Sequence, residues 1–277
     1  MTTAPARRPS GLRAAGWRRR RGDRAAPDRD PTGQAGTVLL ADLTWPDLDP
    51  AAAYTVLVPV GSTEQHGPHL PLGTDTAVAS AVAAALHDAD PGLVLAPALP
   101  YGAAGEHEGF PGTVSIGEDA LRTVLVEYGR SACRWASRLV LLNGHGGNVA
   151  ALRSAVTLLR HEGRDAGWLS CVADVPGVPL DAHAGRYETS LLTHLHPGAV
   201  RADRAEMGDT RPLREVIAEL RAGGIAAVSP NGVLGDPAGA SAEEGRRLLA
   251  AITATASAAV TAWDPDPGTG RLRPPRA

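Results

Sequence analysis

Short apolar segments alternate along the chain with longer Ala-rich segments, and this alternation constrains the fold more than any other feature of the sequence. The short segments are rich in Val and Leu, which favours buried strands, whereas the longer ones have the spacing of helices. Strands are predicted over Tyr54–Val60, Leu93–Ala96, Arg138–Leu142 and Gly167–Val172, and helices over Asp75–His87, Ile116–Ala136, Val149–Arg160, Glu188–Leu195 and Ser241–Trp263. This order predicts an α/β fold with a mainly parallel sheet covered on both faces.

The two ends of the chain differ in composition from the part between them. Residues 1–36 contain the run Arg18–Arg21, which is followed by Gly22 and Asp23 where an export signal would carry an apolar stretch. We therefore predict a disordered Arg/Pro/Gly-rich arm there. Residues 37–264 are predicted to form one domain, and residues 265–277, again rich in Pro, Gly and Arg, a flexible tail.

Composition excludes several classes of protein. The net charge of −3 gives no reason to expect nucleic acid as a partner, and no apolar run approaches the roughly 18–20 residues of a membrane span. Two cysteines, Cys133 and Cys171, cannot form a disulfide framework, so a reducing, cytoplasmic setting is expected. The sequence contains no Lys, which excludes mechanisms that need a Schiff-base or Walker lysine.

Side chains able to carry chemistry are concentrated in the segment after the first predicted strand. Between Val60 and Asp75 this segment holds Glu64, His66 and His69. In open parallel sheets, ligands bind outside the carboxyl ends of the strands. Glu64 and His66 are two residues apart, so in extended backbone both side chains leave the same face. Asp75, at the start of the next helix, can turn back toward them.

Two later segments add further ligand types. His145 directly follows the third predicted strand in a Gly-rich loop, and His183 and Glu188 lie further along. Carboxylates and imidazoles without a thiolate suit Zn²⁺, Fe²⁺ or Mn²⁺ and argue against a structural Cys-type zinc site. Two cations that share Asp75 would explain how several anionic ligands converge. The alternative is a hydrogen-bond network that fixes the loops. A serine hydrolase is discounted, because the segment around Ser62 lacks a glycine that a nucleophile elbow requires.

Three motifs stand out along the chain. They are Gly61–Pro71 with Thr74-Asp75, Asn143–Asn148, and the segment from His183 to Ser190. Together they resemble the creatininase (creatinine amidohydrolase) family, and the likeness runs from about Leu43 to Trp263. The resemblance implies a three-layer αβα sandwich that hydrolyses amide-type C–N bonds with two divalent metal ions, Zn²⁺ and/or Fe²⁺, or Mn²⁺. It also implies a homo-oligomer.

The resemblance, carried over motif by motif, also assigns residues. The implied metal ligands are Glu64, His66, Asp75, His145 and Glu188, with Asp75 bridging. Creatinine-hydrolysing members carry a Glu two residues after the histidine that matches His145, where this chain has Gly147. Glu188 is therefore expected to complete the ligand set, and creatinine itself is in doubt as substrate.

Other side chains are expected to act around these ligands. His183 matches a histidine that the family uses near the leaving group, so we expect it to transfer the proton, with Glu188 as the other catalytic residue. His69 and His107 are expected beside the ligands rather than among them. The residues expected to form the substrate pocket are His69, His107, Gly146 and Gly147.

Further segments resemble a branch of the family, and that resemblance implies processing of a small modified peptide. They include Tyr101–His107, Glu127–Ala132 and Gly232–Pro237. The implied substrate is a ribosomal peptide whose C-terminal Val-Tyr pair has been decarboxylated and crosslinked. Hydrolysis of the amide before that pair would release the crosslinked core. The alternatives are a creatinine, cyclic-amide or formamide hydrolase of the same family, and a non-catalytic metal-binding partner subunit, against which the complete ligand set argues.

Overall fold

The computed structural model describes residues 39–49 and 51–275, and the arm predicted over residues 1–36 lies outside them. The elements are β1 Thr55–Val60, α1 Thr74–Ala89, β2 Leu93–Leu95, α2 Glu118–Ala132, β3 Arg138–Asn143, α3 Val149–His161, β4 Ala166–Ser170, α4 Arg186–Leu195, α5 Leu213–Val228, α6 Ala242–Ala262, β5 Asp264–Pro265 and β6 Leu272–Arg273. All the predicted strands and helices are present, with ends shifted by a few residues.

The strands β1 to β4 form one parallel sheet in the order β2-β1-β3-β4. β1 pairs with β3 along its whole length, from Thr55 opposite Arg138 to Val60 opposite Asn143. After β1 the next strand, β2, lies on one side of the sheet, and after β3 the next strand, β4, lies on the other side. The strand order therefore reverses between β1 and β3. Such a reversal opens a crevice at the carboxyl ends of the strands, where ligands bind in open α/β sheets.

Helices cover both faces of this sheet. Leu57 points into a core formed with α1, α4 and α6, whereas the adjacent Val58 points into a second core formed with α2 and α3. This alternation follows from the pleat of a strand, which sends successive side chains to opposite faces. The expected three-layer αβα sandwich is therefore confirmed.

The C-terminal residues differ from the prediction. β5 and β6 form an antiparallel pair, and Leu272 is only 2% exposed. The indole nitrogen of Trp168, in β4, donates a hydrogen bond to the carbonyl oxygen of Thr269 at 2.8 Å. The described part of the segment predicted as a flexible tail, residues 265–275, is therefore packed against β4.

Helix α5 is an element that the sequence pattern does not predict. Within it, Gly224 has φ 68° and ψ −173°, so the helix is kinked at this residue. A Cβ atom at this position would lie 2.7 Å from the carbonyl oxygen of Glu106, so only glycine allows this close approach. Across residues 39–49 and 51–275, no helix combines the length and apolar character needed to cross a bilayer.

Candidate metal centre

The segment after β1 folds back over the carboxyl end of the sheet. The backbone N–H of Glu64 donates to the carbonyl oxygen of Leu72 at 3.0 Å, and Asp75 lies in the first turn of α1. The side chains of Glu64, His66 and Asp75 are all buried. The fold thus brings the three predicted ligands of this segment together at the end of β1.

The loop after β3 is held against the same place. A Cβ atom on Gly144 would lie 2.3 Å from the carbonyl oxygen of Asp75, so the absence of a side chain lets β3 end directly against α1. The side-chain amide of Asn148 donates to the carbonyl oxygen of Gly61 at 3.0 Å. These two contacts join the loops after β1 and β3 and bring His145 to the cluster.

One set of metal-binding atoms forms around Glu64 and His145. Nδ1 of His145 lies 3.1 Å from Oε1 of Glu64 and 3.4 Å from Oδ2 of Asp75. The other ring nitrogen, Nε2, lies 3.1 Å from the carbonyl oxygen of Ala103, to which it can only donate. In the neutral ring, Nδ1 therefore carries the lone pair and faces the two carboxylates, an arrangement found in metal-binding histidines.

A second set forms around His66. Its Nε2 lies 3.1 Å from Oδ1 of Asp75 and 3.9 Å from Oε2 of Glu188. Its Nδ1 donates to the carbonyl oxygen of Glu64 at 3.2 Å, which leaves Nε2 for the cluster when the ring is neutral. Asp75 thus presents one carboxylate oxygen to each set.

The buried carboxylates fit a cation. Both oxygens of Glu64 and Oδ2 of Asp75 are buried without a hydrogen-bond partner among the described residues. Ring nitrogens nevertheless approach Oε1 of Glu64 within 3.2 Å. Close contact without hydrogen-bond geometry is expected of ligands around one ion, and leaving buried carboxylates uncompensated is costly.

Three overlapping groups of side chains are close enough to hold an ion. They are Glu64, His107 and His145; Glu64, His66 and His183; and His66, Asp75 and Glu188. Within each group, the candidate ligand atoms lie within 4.8 Å of one another. The groups contain all five of the predicted ligands and add two histidines that the sequence places beside them.

Neighbouring charges shift the pKa values of these groups. Burial alone would lower the pKa of His66, but Asp75 and Glu188 raise it to about 10. Burial likewise opposes protonation of His145, whereas Glu64 raises its pKa to about 9. Burial raises the pKa of Asp75 to about 6, against the attraction of His66. Burial would also raise the pKa of Glu64, but His145 holds it well below its usual range. The pocket thus attracts positive charge, which protons supply here and divalent cations would supply more strongly.

His183 lies beside both sets. Its ring centroid is 4.3 Å from that of His66 and 4.5 Å from that of His107. Its Nε2 lies 2.8 Å from the carbonyl oxygen of Gln65, which only accepts, so the neutral ring carries its proton there. Nδ1, which lies 3.9 Å from Oε1 of Glu64, then carries the lone pair. Burial and the charge of His66 lower the pKa of His183 to about 4, so the ring is neutral at neutral pH.

Gln65 is a site residue that the sequence analysis did not single out. Its Nε2 donates to the carbonyl oxygen of Gly232 at 3.0 Å and lies 2.9 Å from Nδ1 of His107. His107 therefore carries its proton on Nε2, which faces Oε1 of Glu64 at 3.2 Å. This geometry supports a role for His107 in orienting a ligand. The signal in the sequence was the position of Gln65 between Glu64 and His66, inside the segment that supplies the predicted ligands.

A cavity of about 450 Å³ opens onto the cluster. His107, Gly146 and Gly147 line it, as expected, whereas His69 does not. His69 instead lies with Nε2 2.9 Å from the hydroxyl oxygen of Thr189. The volume falls within the range of small-molecule sites, roughly 300–1,000 Å³. Residues of α5 form another part of the lining.

The sequence of this chain matches a known protein family. The family model described as creatininase (creatinine amidohydrolase) matches residues 41–260. The chain belongs to the creatininase family. It is accordingly a metal-dependent hydrolase that acts on amide bonds, and the resemblance seen in its motifs is confirmed.

Curated relatives narrow the comparison within the family. The mycofactocin precursor peptide peptidase of Mycolicibacterium smegmatis is 56% identical over 216 residues, which cover 76% of this chain and 86% of that protein. The protein of the same description from Mycobacterium ulcerans is 52% identical over 245 residues, which cover 85% of this chain and 93% of its own length.

Solved creatininases share the fold. A crystal structure of creatinine amidohydrolase matches with a TM-score of 0.71 and 27% identity, and covers 83% of this chain and 99% of its own. A creatininase described as an Mn form matches with a TM-score of 0.70, 28% identity and coverages of 83% and 100%. A mutant described as Zn-Zn type matches with a TM-score of 0.68, 27% identity and coverages of 82% and 98%.

Proposed function

We propose that this enzyme hydrolyses the mycofactocin precursor peptide at the amide that precedes its decarboxylated, crosslinked C-terminal Val-Tyr pair. The relatives that carry this description are 56% and 52% identical over most of their length, which supports the substrate. The observation that carries the chemistry is the position of Asp75, whose two carboxylate oxygens face two different sets of metal-binding atoms.

In this proposal Asp75 would help to hold each of two divalent cations, one through each carboxylate oxygen. Glu64 and His145 would complete one site, and His66 and Glu188 the other. Bound there, the cations would polarise the scissile carbonyl and make a water more acidic. Solved creatininases in Mn and Zn-Zn forms support Mn²⁺ or Zn²⁺, and the same oxygen and nitrogen ligands also suit Fe²⁺.

His183 would move the proton. Nδ1 faces the cluster with its lone pair, because the carbonyl oxygen of Gln65 holds the proton on Nε2. Nδ1 would accept a proton from the attacking water and pass it to the leaving nitrogen as the C–N bond breaks. Amide cleavage needs this transfer, since an amide anion leaves poorly.

The backbone around Gly147 argues against creatinine as the substrate. A Cβ atom at Gly147 would lie 2.3 Å from the carbonyl oxygen of Ala103 and 2.4 Å from Nε2 of His145. The position therefore accepts no side chain. This excludes the glutamate that, by the resemblance, creatinine-hydrolysing members carry there.

The function is tested with the metal-loaded enzyme and the crosslinked precursor peptide. We expect mass spectrometry to show the released core and the shortened peptide. The uncrosslinked precursor and creatinine serve as comparison substrates. Rapid hydrolysis of creatinine with the crosslinked peptide left intact would refute the proposed substrate.

We also propose that the enzyme works in the cytoplasm, because Cys133 and Cys171 are free thiols, as is usual in a reducing compartment. The expectation of a homo-oligomer stays a prediction, which light scattering of the purified protein would test.

A further inference from the structure

The cavity at the cluster has two chemically different walls. The catalytic wall carries the carboxylates and imidazoles, whereas α5 contributes Arg221, Ile225 and an apolar row formed by Leu213, Ile217 and Leu220. These three residues are spaced by four and three positions, so they lie on one face of the helix. The α5 wall of the cavity is therefore largely apolar, and Arg221 is its one charged side chain.

Part of this stripe is exposed to solvent. Leu213 is 47% exposed and Ile217 is 37% exposed, although both line the cavity. The buried residues of α5 are Val216 and Ile225. Apolar side chains that line a cavity but are not buried by the protein itself indicate a surface that a ligand covers.

A second, smaller cavity reaches the cluster from another side. Its volume is about 210 Å³. Both cavities are lined by Asp75, His145 and Glu188, so they meet at the cluster. A peptide whose scissile amide lies at the cluster can thus direct its acyl part and its amine part into different cavities.

The position of His183 decides which part enters which cavity. His183 lines the larger cavity and is absent from the lining of the smaller one. A group that protonates the leaving nitrogen must lie on the side of the amine part. The amine part therefore belongs in the larger cavity, against α5.

We propose that the apolar face of α5, formed by Leu213, Ile217 and Leu220, is the subsite that binds the crosslinked core, the leaving part of the substrate. This inference rests on the proposed function, which supplies the core. Decarboxylation removes the C-terminal charge of the Val-Tyr pair, and its side chains are largely apolar. The cavity of about 450 Å³ falls in the size range of small-molecule sites, whereas the smaller one lies below it.

The experiment measures binding of the chemically synthesised core, separately from turnover. Titration calorimetry is carried out with the metal-loaded wild type, Leu213→Ala, Ile217→Ala and, as control, Val124→Ala. Val124 is 42% exposed on α2 and lines neither cavity, so it matches Leu213 in exposure. Product inhibition by the core is measured in parallel with cleavage of the crosslinked peptide.

We expect both α5 variants to weaken core binding and product inhibition roughly tenfold, since each removes several methylene groups from the contact. The control variant should match the wild type. Equal core affinity in all four proteins, or equal weakening by Val124→Ala, would overturn the subsite. A wild type that binds the core but leaves the crosslinked peptide uncleaved would refute the proposed function and leave the subsite standing.

Discussion

Oδ2 of Asp75 lies 3.4 Å from Nδ1 of His145, and the two atoms meet without forming a hydrogen bond. Asp75 lies in the first turn of α1 and His145 follows β3, so the contact depends on how closely these two elements approach. Gly144 permits that approach, because a side chain there would strike the backbone of Asp75. The geometry makes Asp75 the residue on which both sets of metal-binding atoms depend.

Asp75→Asn should therefore lose more than about 100-fold in turnover and retain less metal, since mutating even a neighbour of a ligand costs 10–100-fold. Elemental analysis and peptide cleavage measure the two effects. Asp119→Asn is the matched control, because Asp119 also lies in the first turn of a helix but is exposed. Normal metal content and full activity in Asp75→Asn would rule out the bridging role.

His183→Ala should keep its metal and lose roughly 10²–10⁴-fold in kcat, the usual contribution of a general acid–base group. His161→Ala, a change at the exposed end of α3, should leave kcat unchanged. Metal content is determined on the same samples. If His183→Ala loses metal, the residue is a ligand and the assignment of proton transfer is wrong.

Gly224→Ala should raise KM for the peptide while metal content stays normal. The new methyl group would lie 2.7 Å from the carbonyl oxygen of Glu106, so α5 and the backbone at Glu106, both of which line the cavity, would have to move apart. Gly163→Ala is the control, because Gly163 also has a positive φ but has open space around it. The control should lose stability, by roughly 1–3 kcal/mol from backbone strain, without a change in KM. An unchanged KM in Gly224→Ala would show that α5 can shift without affecting the site.

Glu244 links α6 to the helix that carries Glu188. Its side chain is buried and accepts hydrogen bonds from Arg186 at 2.9 and 2.6 Å. Glu244→Gln should therefore destabilise the fold by about 1–3 kcal/mol at pH 7. The neighbouring Glu243→Gln, which alters an exposed pair with Arg246, is the control and should unfold like the wild type.

The effect of Glu244→Gln should depend on pH in one direction. The hydrogen bonds from Arg186 hold the pKa of Glu244 below its ordinary value of 4.5. The stability that this carboxylate contributes is then fully present above pH 4.5 and is lost as the pH falls through the lowered pKa. Urea unfolding of both proteins across this range measures the difference. A difference that grows toward acid pH would contradict the assignment.

The sequence predicted the sheet and the cluster because both follow from local signals. Short apolar runs mark β1 and β3, and Glu64, His66 and His145 follow directly at their carboxyl ends. Open parallel sheets bring such ends together, so proximity could be inferred without coordinates.

The sequence did not predict the elements whose packing is decided by distant contacts. The apolar face of α5 lines a cavity instead of the core, and Gly223 and Gly224 interrupt its helical pattern. The C-terminal hairpin contains Leu272 in a segment of Pro, Gly and Arg, and it is ordered by contacts with β4, α3 and α6, which are distant in sequence. The exclusion of His69 from the cavity depends on Thr189, which is far away in sequence.

Val60 pairs with Asn143, and the loops that carry the predicted ligands follow these two residues, so an error in strand alignment would displace the metal centre. A slip of one residue between these strands would displace one loop by about 3.3 Å relative to the other. Coordination bonds tolerate only about 0.2 Å. Uptake of metal therefore reports correct strand alignment. A misaligned chain would be inactive even though every residue of the centre is present.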